Sequence, residues 1–198
     1  MVGATYSTGR DTSAAGGPAA TGCAGEVAGN SKACRQVTGL FGYEVAQYGL
    51  NASYDILYGN TGAAGGLTSS NNSDKRVTVN GYVKVGEGKI GAGVVDRTTR
   101  AVTGLTESDL YFLGLSYPIT PLTTLDTQVA RRDVKNSSSD ATMLVARLTY
   151  YFSKRTAVYG GIGRMKNSGL SAVALDAGGT VGVGKTQNGV MGGLRHSF

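Results

Sequence analysis

The sequence predicts an all-β fold: a transmembrane, antiparallel, up-and-down β-barrel with about ten strands. Apolar and polar residues alternate in runs of about ten residues along the whole chain. These runs are separated by connections that are short and long in turn. The last run, 188–198, ends on Phe198, and a ring at the end of a strand is useful where hydrocarbon meets headgroups.

The composition agrees with a strand-rich membrane protein. The 198 residues include 32 Gly, 11 Tyr and no Trp, and helix-forming residues are sparse. Mean hydropathy is −0.09. No stretch approaches the roughly 18 apolar residues that a membrane helix needs. A mean hydropathy near zero is nevertheless typical of membrane-spanning β-strands, because the polar residues of one face offset the apolar residues of the other in the average.

The formal net charge is +6, with basic residues spread singly along the predicted strands. A solvated basic surface, an anionic lipid partner and an anion-selective pore all fit this charge. Nucleic acid is not an expected partner, because no Lys/Arg-rich run or nucleic-acid motif is present. The N-terminus lacks a basic segment followed by an apolar run, so we expect a mature or truncated chain.

Ten strands are expected in order along the chain. About ten residues, tilted at about 45°, cover the roughly 25 Å apolar band of an outer membrane. The clearest has Val77, Val79, Val83 and Val85 on one face. The predicted spans are 2–8, 36–45, 49–58, 76–85, 89–97, 108–118, 123–133, 141–152, 156–165 and 188–198.

The connections carry independent information. Tight turns are expected at 46–48, 86–88, 119–122 and 153–155, and long loops at 9–35, 60–75, 98–107, 134–140 and 166–187. Short and long connections alternate without exception. Outer-membrane barrels sort their loops in this way, with short turns on one side and long loops on the other. A soluble β-sandwich has no reason to do so.

Cys23 and Cys34 both lie in the first long loop. A disulfide between them would tie down that segment and would fit an oxidising compartment. Two unpaired thiols are the alternative. A metal site is not expected, because two cysteines and the distant His196 do not form a ligand set.

No catalytic constellation or cofactor motif is found. His196 is the only histidine, and a polar aromatic near the membrane interface is a simpler interpretation of it than a general base. The glycine-rich segments do not lead into a helix pattern, so no phosphate loop is predicted. We therefore expect a protein that is not an enzyme and needs no cofactor.

The polar faces of the strands carry charges that a solid core would not tolerate. A wet lumen would accept them, with a positive field that favours anions; the exposed face of a soluble sheet is the alternative. The basic candidates are Arg76, Lys84, Lys89, Arg97, Arg132, Arg147 and Arg195, and the acidic ones are Glu44, Asp55 and Asp126.

Two groups of residues relate to the membrane boundary. Tyr150, Phe152 and Phe198 are predicted interface aromatics, Phe198 also as an assembly signal. Arg131 and Arg164 interrupt the apolar pattern near the long loops, either to pair with lipopolysaccharide phosphates or because a twist or bulge turns them elsewhere.

Two segments carry a family resemblance. They are 149–159, TYYFSKRTAVY, and 192–198, GGLRHSF. Together they resemble the trimeric general diffusion porins of Gram-negative bacteria, of the beta-proteobacterial type. The resemblance implies a sixteen-stranded barrel built from a longer chain, of which 1–198 would be one domain without the N-terminal strands and the constriction loop. The family's constriction arginines would then correspond to Arg132, Arg147 and Arg195.

Ten strands taken from sixteen would have two open edges, which lipid does not tolerate. Either another polypeptide supplies the missing strands, or strand 2–8 pairs with strand 188–198 in a narrower barrel, or the chain is an incomplete gene product.

The expected function is an outer-membrane porin for passive diffusion of small hydrophilic solutes, with anion preference. The expected partners are outer-membrane lipid, lipopolysaccharide and, for the full-length parent, two further copies in a homotrimer. A non-conducting barrel that acts as a structural anchor or adhesin through its loops is the alternative.

Overall fold

A computed structural model describes residues 1–9, 22–176 and 178–198 of the chain. Within these ranges it contains ten β-strands and no helix. No helix in the described residues is therefore long and apolar enough to cross a membrane. The strands are β1 Val2–Ser7, β2 Gln36–Glu44, β3 Tyr48–Tyr58, β4 Ser73–Val85, β5 Gly88–Ala101, β6 Gly104–Thr120, β7 Thr123–Val134, β8 Ala141–Tyr151, β9 Thr156–Asn167 and β10 Thr186–His196.

All ten strands belong to one sheet in which each strand is hydrogen-bonded to its neighbour in sequence. The pairing is antiparallel, as in β1 with β2 and in β7 through β10. This is the predicted up-and-down order. The order begins at β1 and ends at β10, so the sheet is open, and the narrower barrel closed by these two strands is not formed.

The predicted strand boundaries are close to those observed, with one clear error. The segment 98–107 was expected to be a long loop, but β5 continues to Ala101 and β6 starts at Gly104, which leaves a two-residue turn. The segment 98–107 is mostly polar, so it shows no alternation of apolar and polar residues, and the prediction of strands depended on that alternation. A β-hairpin is held together by hydrogen bonds between the two backbones. Polar side chains therefore do not terminate its strands where both faces of the hairpin are exposed to water.

The described residues contain almost no buried core. Most of their buried apolar residues are small, with Leu67 and Met165 the large exceptions, and no large side chain is completely buried. By contrast, Ile162 is 66% exposed and Val190 86% exposed. A soluble sandwich would bury such side chains between two sheets, so this distribution contradicts the soluble alternative.

The chain divides into two compact units. The first comprises 1–43, 50–79 and 95–108. Its long connections pack on a small cluster formed by Cys23, Cys34, Ala63 and Leu67. The second comprises 44–49, 80–94 and 109–198, and it contains all of β7 to β10.

Candidate functional site

The register of β7 to β10 assigns every residue of these strands to one of two faces. Asp126 pairs with Arg147, Arg147 with Gly161, and Gly161 with Met191, so these four form one row across four strands. Since side chains alternate along a strand, every second residue from this row lies on the same side. We call this side the polar face and the opposite side the apolar face.

Arg147 and Asp126 form an ion pair across β7 and β8. Arg147 Nη2 donates to Asp126 Oδ2 at 2.8 Å, and Nε donates to the same oxygen at 3.3 Å. The side chains are 53% and 32% exposed, so solvent reaches both. The ion pair therefore contributes little to stability. It orients the Arg147 guanidinium but leaves it accessible to solvent.

A second cluster in this unit is organised by Tyr82 of β4. The Tyr82 hydroxyl donates a hydrogen bond to Glu44, and Lys89 Nζ lies 3.4 Å from the centre of the Tyr82 ring. A lysine ammonium over an aromatic ring is stabilised by the ring quadrupole. Two predicted site residues are thus brought together through a tyrosine that the sequence analysis did not select.

The polar face of this unit bounds a hollow of about 1020 Å³. Tyr82, Lys89, Asp126, Arg147 and Met191 line it. Both charged clusters therefore face the same space.

The other predicted basic residues of this unit have no carboxylate partner in the described part of the chain. Lys84 follows Tyr82 by two residues on the same face of β4, and Arg132 pairs in register with Ala141. The Arg195 guanidinium carbon lies 5.9 Å from the centre of the Tyr151 ring. Their charges are not neutralised locally.

The connection between β9 and β10 folds onto the polar face. Leu175 occupies the space that side chains at Gly163 and Gly189 would need: a Cβ atom would meet its δ carbons at 3.1 Å and 2.7 Å. The Leu175 amide also donates to Gln187 Oε1 at 2.8 Å. The two glycines, paired in register, form the seat for this loop residue.

Asn167, at the end of β9, holds the rest of this loop. It is 3% exposed, and its amide donates to the carbonyls of Val173 and Lys185, both at 3.0 Å. Its Oδ1 accepts from the Ser171 hydroxyl and the Val173 amide, both at 2.8 Å. Asp176, next to Leu175, reaches the hollow as a consequence.

In the first unit, Asp74 joins two of the predicted arginines. Arg97 donates to both carboxylate oxygens of Asp74, at 2.8 Å and 3.0 Å, and Arg76 Nη2 lies 2.7 Å from Oδ2. The Asp74 side chain is only 6% exposed, and Thr99 donates to it at 3.1 Å. This cluster carries one net positive charge, less than its two arginines suggest.

Asp55, the third predicted acidic residue, also has hydrogen-bond partners. Its Oδ1 accepts from Gln36 Nε2 at 2.9 Å and from the Thr38 hydroxyl.

Arg35 precedes β2, and its guanidinium carbon lies 4.9 Å from the centre of the Tyr58 ring. The neighbouring Tyr6 and Tyr58 hydroxyls hold the pKa of Arg35 above its ordinary value.

Cys23 and Cys34 are joined by a disulfide whose Cα atoms are 5.8 Å apart. The bridge lies in contact with Ala63 and Leu67 of the following loop. The Cys34 amide donates to the Gly59 carbonyl at 3.2 Å, and the Ala24 amide to the Thr61 carbonyl at 3.0 Å. The cystine therefore links the first two long connections.

The predicted interface aromatics form two edge-to-face pairs. The rings of Tyr150 and Phe152 are 5.1 Å apart, and those of His196 and Phe198 are 5.0 Å apart. The last strand ends at His196, two residues earlier than predicted, and the Ser197 amide donates to the Arg155 carbonyl at 2.9 Å. Phe198 is fully exposed.

Four residues of the candidate site escaped the sequence analysis, for identifiable reasons. Asp74 lies on the same face of β4 as Arg76, but the predicted strand began two residues later. Tyr82 lies within the predicted strand 76–85, but alternation does not reveal its contacts with Glu44 and Lys89. Leu175 and Asp176 lie in a loop, where alternation gives no signal; the two glycines in register are the only trace of their position.

Two comparisons identify the family. Residues 1–170 match the Gram-negative porin family. Outer membrane porin protein 32 of Delftia acidovorans is 31% identical over 155 residues, covering 75% of this chain and 43% of that protein.

Among solved structures, the anion-selective porin from Comamonas acidovorans superposes with a TM-score of 0.73 at 24% identity, covering 83% of this chain and 49% of that one. OmpT, an outer membrane protein of Vibrio cholerae in its trimer form, has a TM-score of 0.61 at 13% identity, covering 82% and 57%. The chain spans about half the length of these relatives. It belongs to the Gram-negative porin family, bacterial outer-membrane proteins of the antiparallel up-and-down β-barrel class.

Proposed function

We propose that this chain forms part of the wall of a water-filled channel for passive diffusion of small hydrophilic solutes and ions, with a preference for anions. The observation that supports this most directly is the excess of basic side chains on the polar face of the second unit. Among the described residues, this face has five basic side chains and three carboxylates. The basic residues are Lys84, Lys89, Arg132, Arg147 and Arg195, and the carboxylates are Glu44 and Asp126 on the strands and Asp176 in the loop.

The physical basis is the electrostatic barrier that an ion meets in a narrow pore. A wall with excess positive charge lowers this barrier for anions and raises it for cations. The charges act only if the space beside them is hydrated, and the exposure of Arg147 and its neighbours on the hollow supports a wet surface. The anion-selective relative from Comamonas is consistent with this direction of preference.

The loop seated by Leu175 has a role in the same proposal. Because it lies on the polar face, it narrows the space in front of Gly163 and Gly189. It also adds the Asp176 carboxylate to a surface rich in guanidinium groups. We assign to this loop part of the size and charge filtering of the channel.

No chemical step is needed for such a function. Diffusion down a gradient requires a hydrated path and an appropriate field, not a nucleophile or a cofactor. In the described residues no group of three or more His, Cys, Asp or Glu side chains is placed to hold a metal ion. We therefore propose that the protein is not an enzyme.

Assembly and surroundings follow from the family. OmpT is described as a trimer, and we propose a homotrimer for the whole porin. The exposed rings of Tyr150, Phe152 and Phe198 would lie at the membrane boundary, where aromatic side chains are enriched.

Planar-bilayer recordings test the proposal. The whole porin that contains this chain, folded in detergent, is added to a bilayer between unequal KCl concentrations, and the reversal potential is measured. We expect anion preference, reduced or inverted in Lys89→Gln/Arg132→Gln/Arg147→Gln. The control, Lys154→Gln/Arg155→Gln, removes two charges from the turn between β8 and β9 and should leave the potential unchanged.

Two results would contradict the proposal in different ways. An unchanged reversal potential in the polar-face variant would show that these residues do not face the ion path. A folded protein that never conducts would instead favour the structural anchor or adhesin.

A further inference from the structure

The apolar face of β7 to β10 carries three basic residues at one end. Arg131 pairs in register with Thr142, and Thr142 with Lys166, so Arg131 and Lys166 stand in one row. Arg164 lies in the next row, beside Leu144. We call Arg131, Arg164 and Lys166 the basic outer patch. Rows are about 7 Å apart and adjacent strands about 5 Å, so the three side chains can reach one bound group.

The basic outer patch adjoins a surface that is apolar except for Thr127 and Asn188. The row after Arg164 contains Ala146, Ile162 and Val190, and the following one contains Leu125 and Leu148. A shallow groove of about 480 Å³ runs from Arg164 along Leu144, Ile162 and Val190. Cations at the rim of an apolar groove fit an amphiphile with a negatively charged head.

Two of the three basic side chains of the patch are free to bind the negatively charged head group of an amphiphile. Within the described residues neither Arg164 nor Lys166 forms an ion pair, and both side chains are exposed. Arg131 Nη2 contacts Asp140 Oδ2 at 3.1 Å, with side chains 57% and 21% exposed. Two further carboxylates are nearby: Asp133 is one row nearer the loop end of β7, and Asp109 of β6 is paired with Lys135 at 3.6 Å. The patch therefore keeps excess positive charge.

The position of the patch selects the lipid leaflet. Arg131, Arg164 and Lys166 are at the strand ends that join the connections 135–140 and 168–185. The opposite ends join the short turns 121–122 and 152–155. In outer-membrane barrels the longer loops are extracellular, so the patch faces the outer leaflet, where lipopolysaccharide supplies phosphate groups above acyl chains.

We propose that the basic outer patch is a binding site for lipopolysaccharide. Arg164 and Lys166 hold a phosphate, an acyl chain lies in the groove along Ile162 and Val190, and Asp140 moderates the affinity by engaging Arg131. Lysine and arginine side chains near a membrane surface each contribute about 1 kcal/mol to anionic lipid binding. The proposal requires the outer-membrane orientation but not a conducting lumen.

Binding of lipopolysaccharide to the full chain in detergent micelles tests the site. The Arg164→Gln/Lys166→Gln variant should bind labelled lipopolysaccharide about 30-fold more weakly, since two such contributions are lost. The matched control is Lys154→Gln/Arg155→Gln, which removes the same charge at the other end of the same hairpin and should bind like the wild type. Circular dichroism checks that every variant keeps its strand content.

Two further measurements fix the chemistry. Asp140→Asn, which releases Arg131, should tighten binding several-fold, so the site is tested by a gain as well as a loss. Dephosphorylated lipopolysaccharide should bind weakly and equally to wild type and patch variant, and inorganic phosphate should not compete at millimolar concentration. The proposal is overturned if the patch variant binds like the wild type, if the turn control loses as much, if Asp140→Asn does not tighten binding, or if inorganic phosphate alone displaces the lipid.

Discussion

The two faces of β7 to β10 belong to the same sheet but are suited to different surroundings, the polar face to water and the apolar face to lipid. On the polar face, the row of Asp126, Arg147 and Met191 borders a hollow, and its two charges pair with each other. One residue further along each strand, Ile162 and Val190 are exposed with nothing from the described chain covering them. The sheet therefore derives its stability from the hydrogen-bonded ladder and from lipid, not from a buried core.

A charge placed in the middle of the apolar face should lower stability more than any other change considered, because that face is exposed to lipid. Ile162→Arg should lower the free energy of unfolding from a bilayer by about 2–4 kcal/mol, because lipid does not solvate a guanidinium. Gln128→Arg, on the polar face of β7, is the control and should cost less than about 1 kcal/mol. Urea titration in lipid vesicles measures both. Equal costs on the two faces would show that both meet the same solvent.

The seat of Leu175 offers a smaller test on β10. Gly189→Ala places a methyl group where Leu175 Cδ2 lies and should cost about 1–3 kcal/mol or release the loop. Gly192→Ala, on the opposite face of the same strand, meets only the Tyr159 carbonyl at 3.6 Å and should be tolerated. Adding Leu175→Ala should rescue the first variant and not alter the second. Limited proteolysis of the loop 168–185 reports its release; no rescue would contradict the proposed contact.

The ion pair on the polar face gives the smallest expected effect. Asp126→Asn leaves Arg147 without its carboxylate and should increase anion preference, whereas Arg147→Gln should decrease it. Stability should change by no more than about 1 kcal/mol in either case, since the pair is exposed. Shifts of the reversal potential in the same direction for both variants would show that the pair is not in the ion path.

Sequence reasoning works best for features that depend on side-chain alternation. It predicted the ten strands, because a two-residue period is imposed by the backbone itself. It failed at 98–107, where a hairpin with two polar faces has no apolar signal.

The contacts that organise the site are less accessible to sequence analysis. The cluster of Asp74 with Arg97 joins residues 23 positions apart, and the contact of Leu175 with Gly189 depends on how a loop folds back. Such contacts are determined by register and loop geometry, neither of which a hydrophobic pattern encodes. The disulfide between Cys23 and Cys34 was accessible because the two residues lie in the same connection.

Cysteine accessibility along β8 tests the central claim, that one face is wet and the other faces lipid. Single cysteines are placed at 144–149 in a Cys23→Ser/Cys34→Ser background, and the protein is folded into vesicles and treated with a charged, membrane-impermeant thiol reagent. We expect labelling at 145 and 147, protection at 144, 146 and 148, and protection at 149 as well, because Thr149 is only 6% exposed. Protection of all six positions would indicate a filled interior, and labelling of all six would indicate a soluble sheet; either result would contradict a water-filled channel.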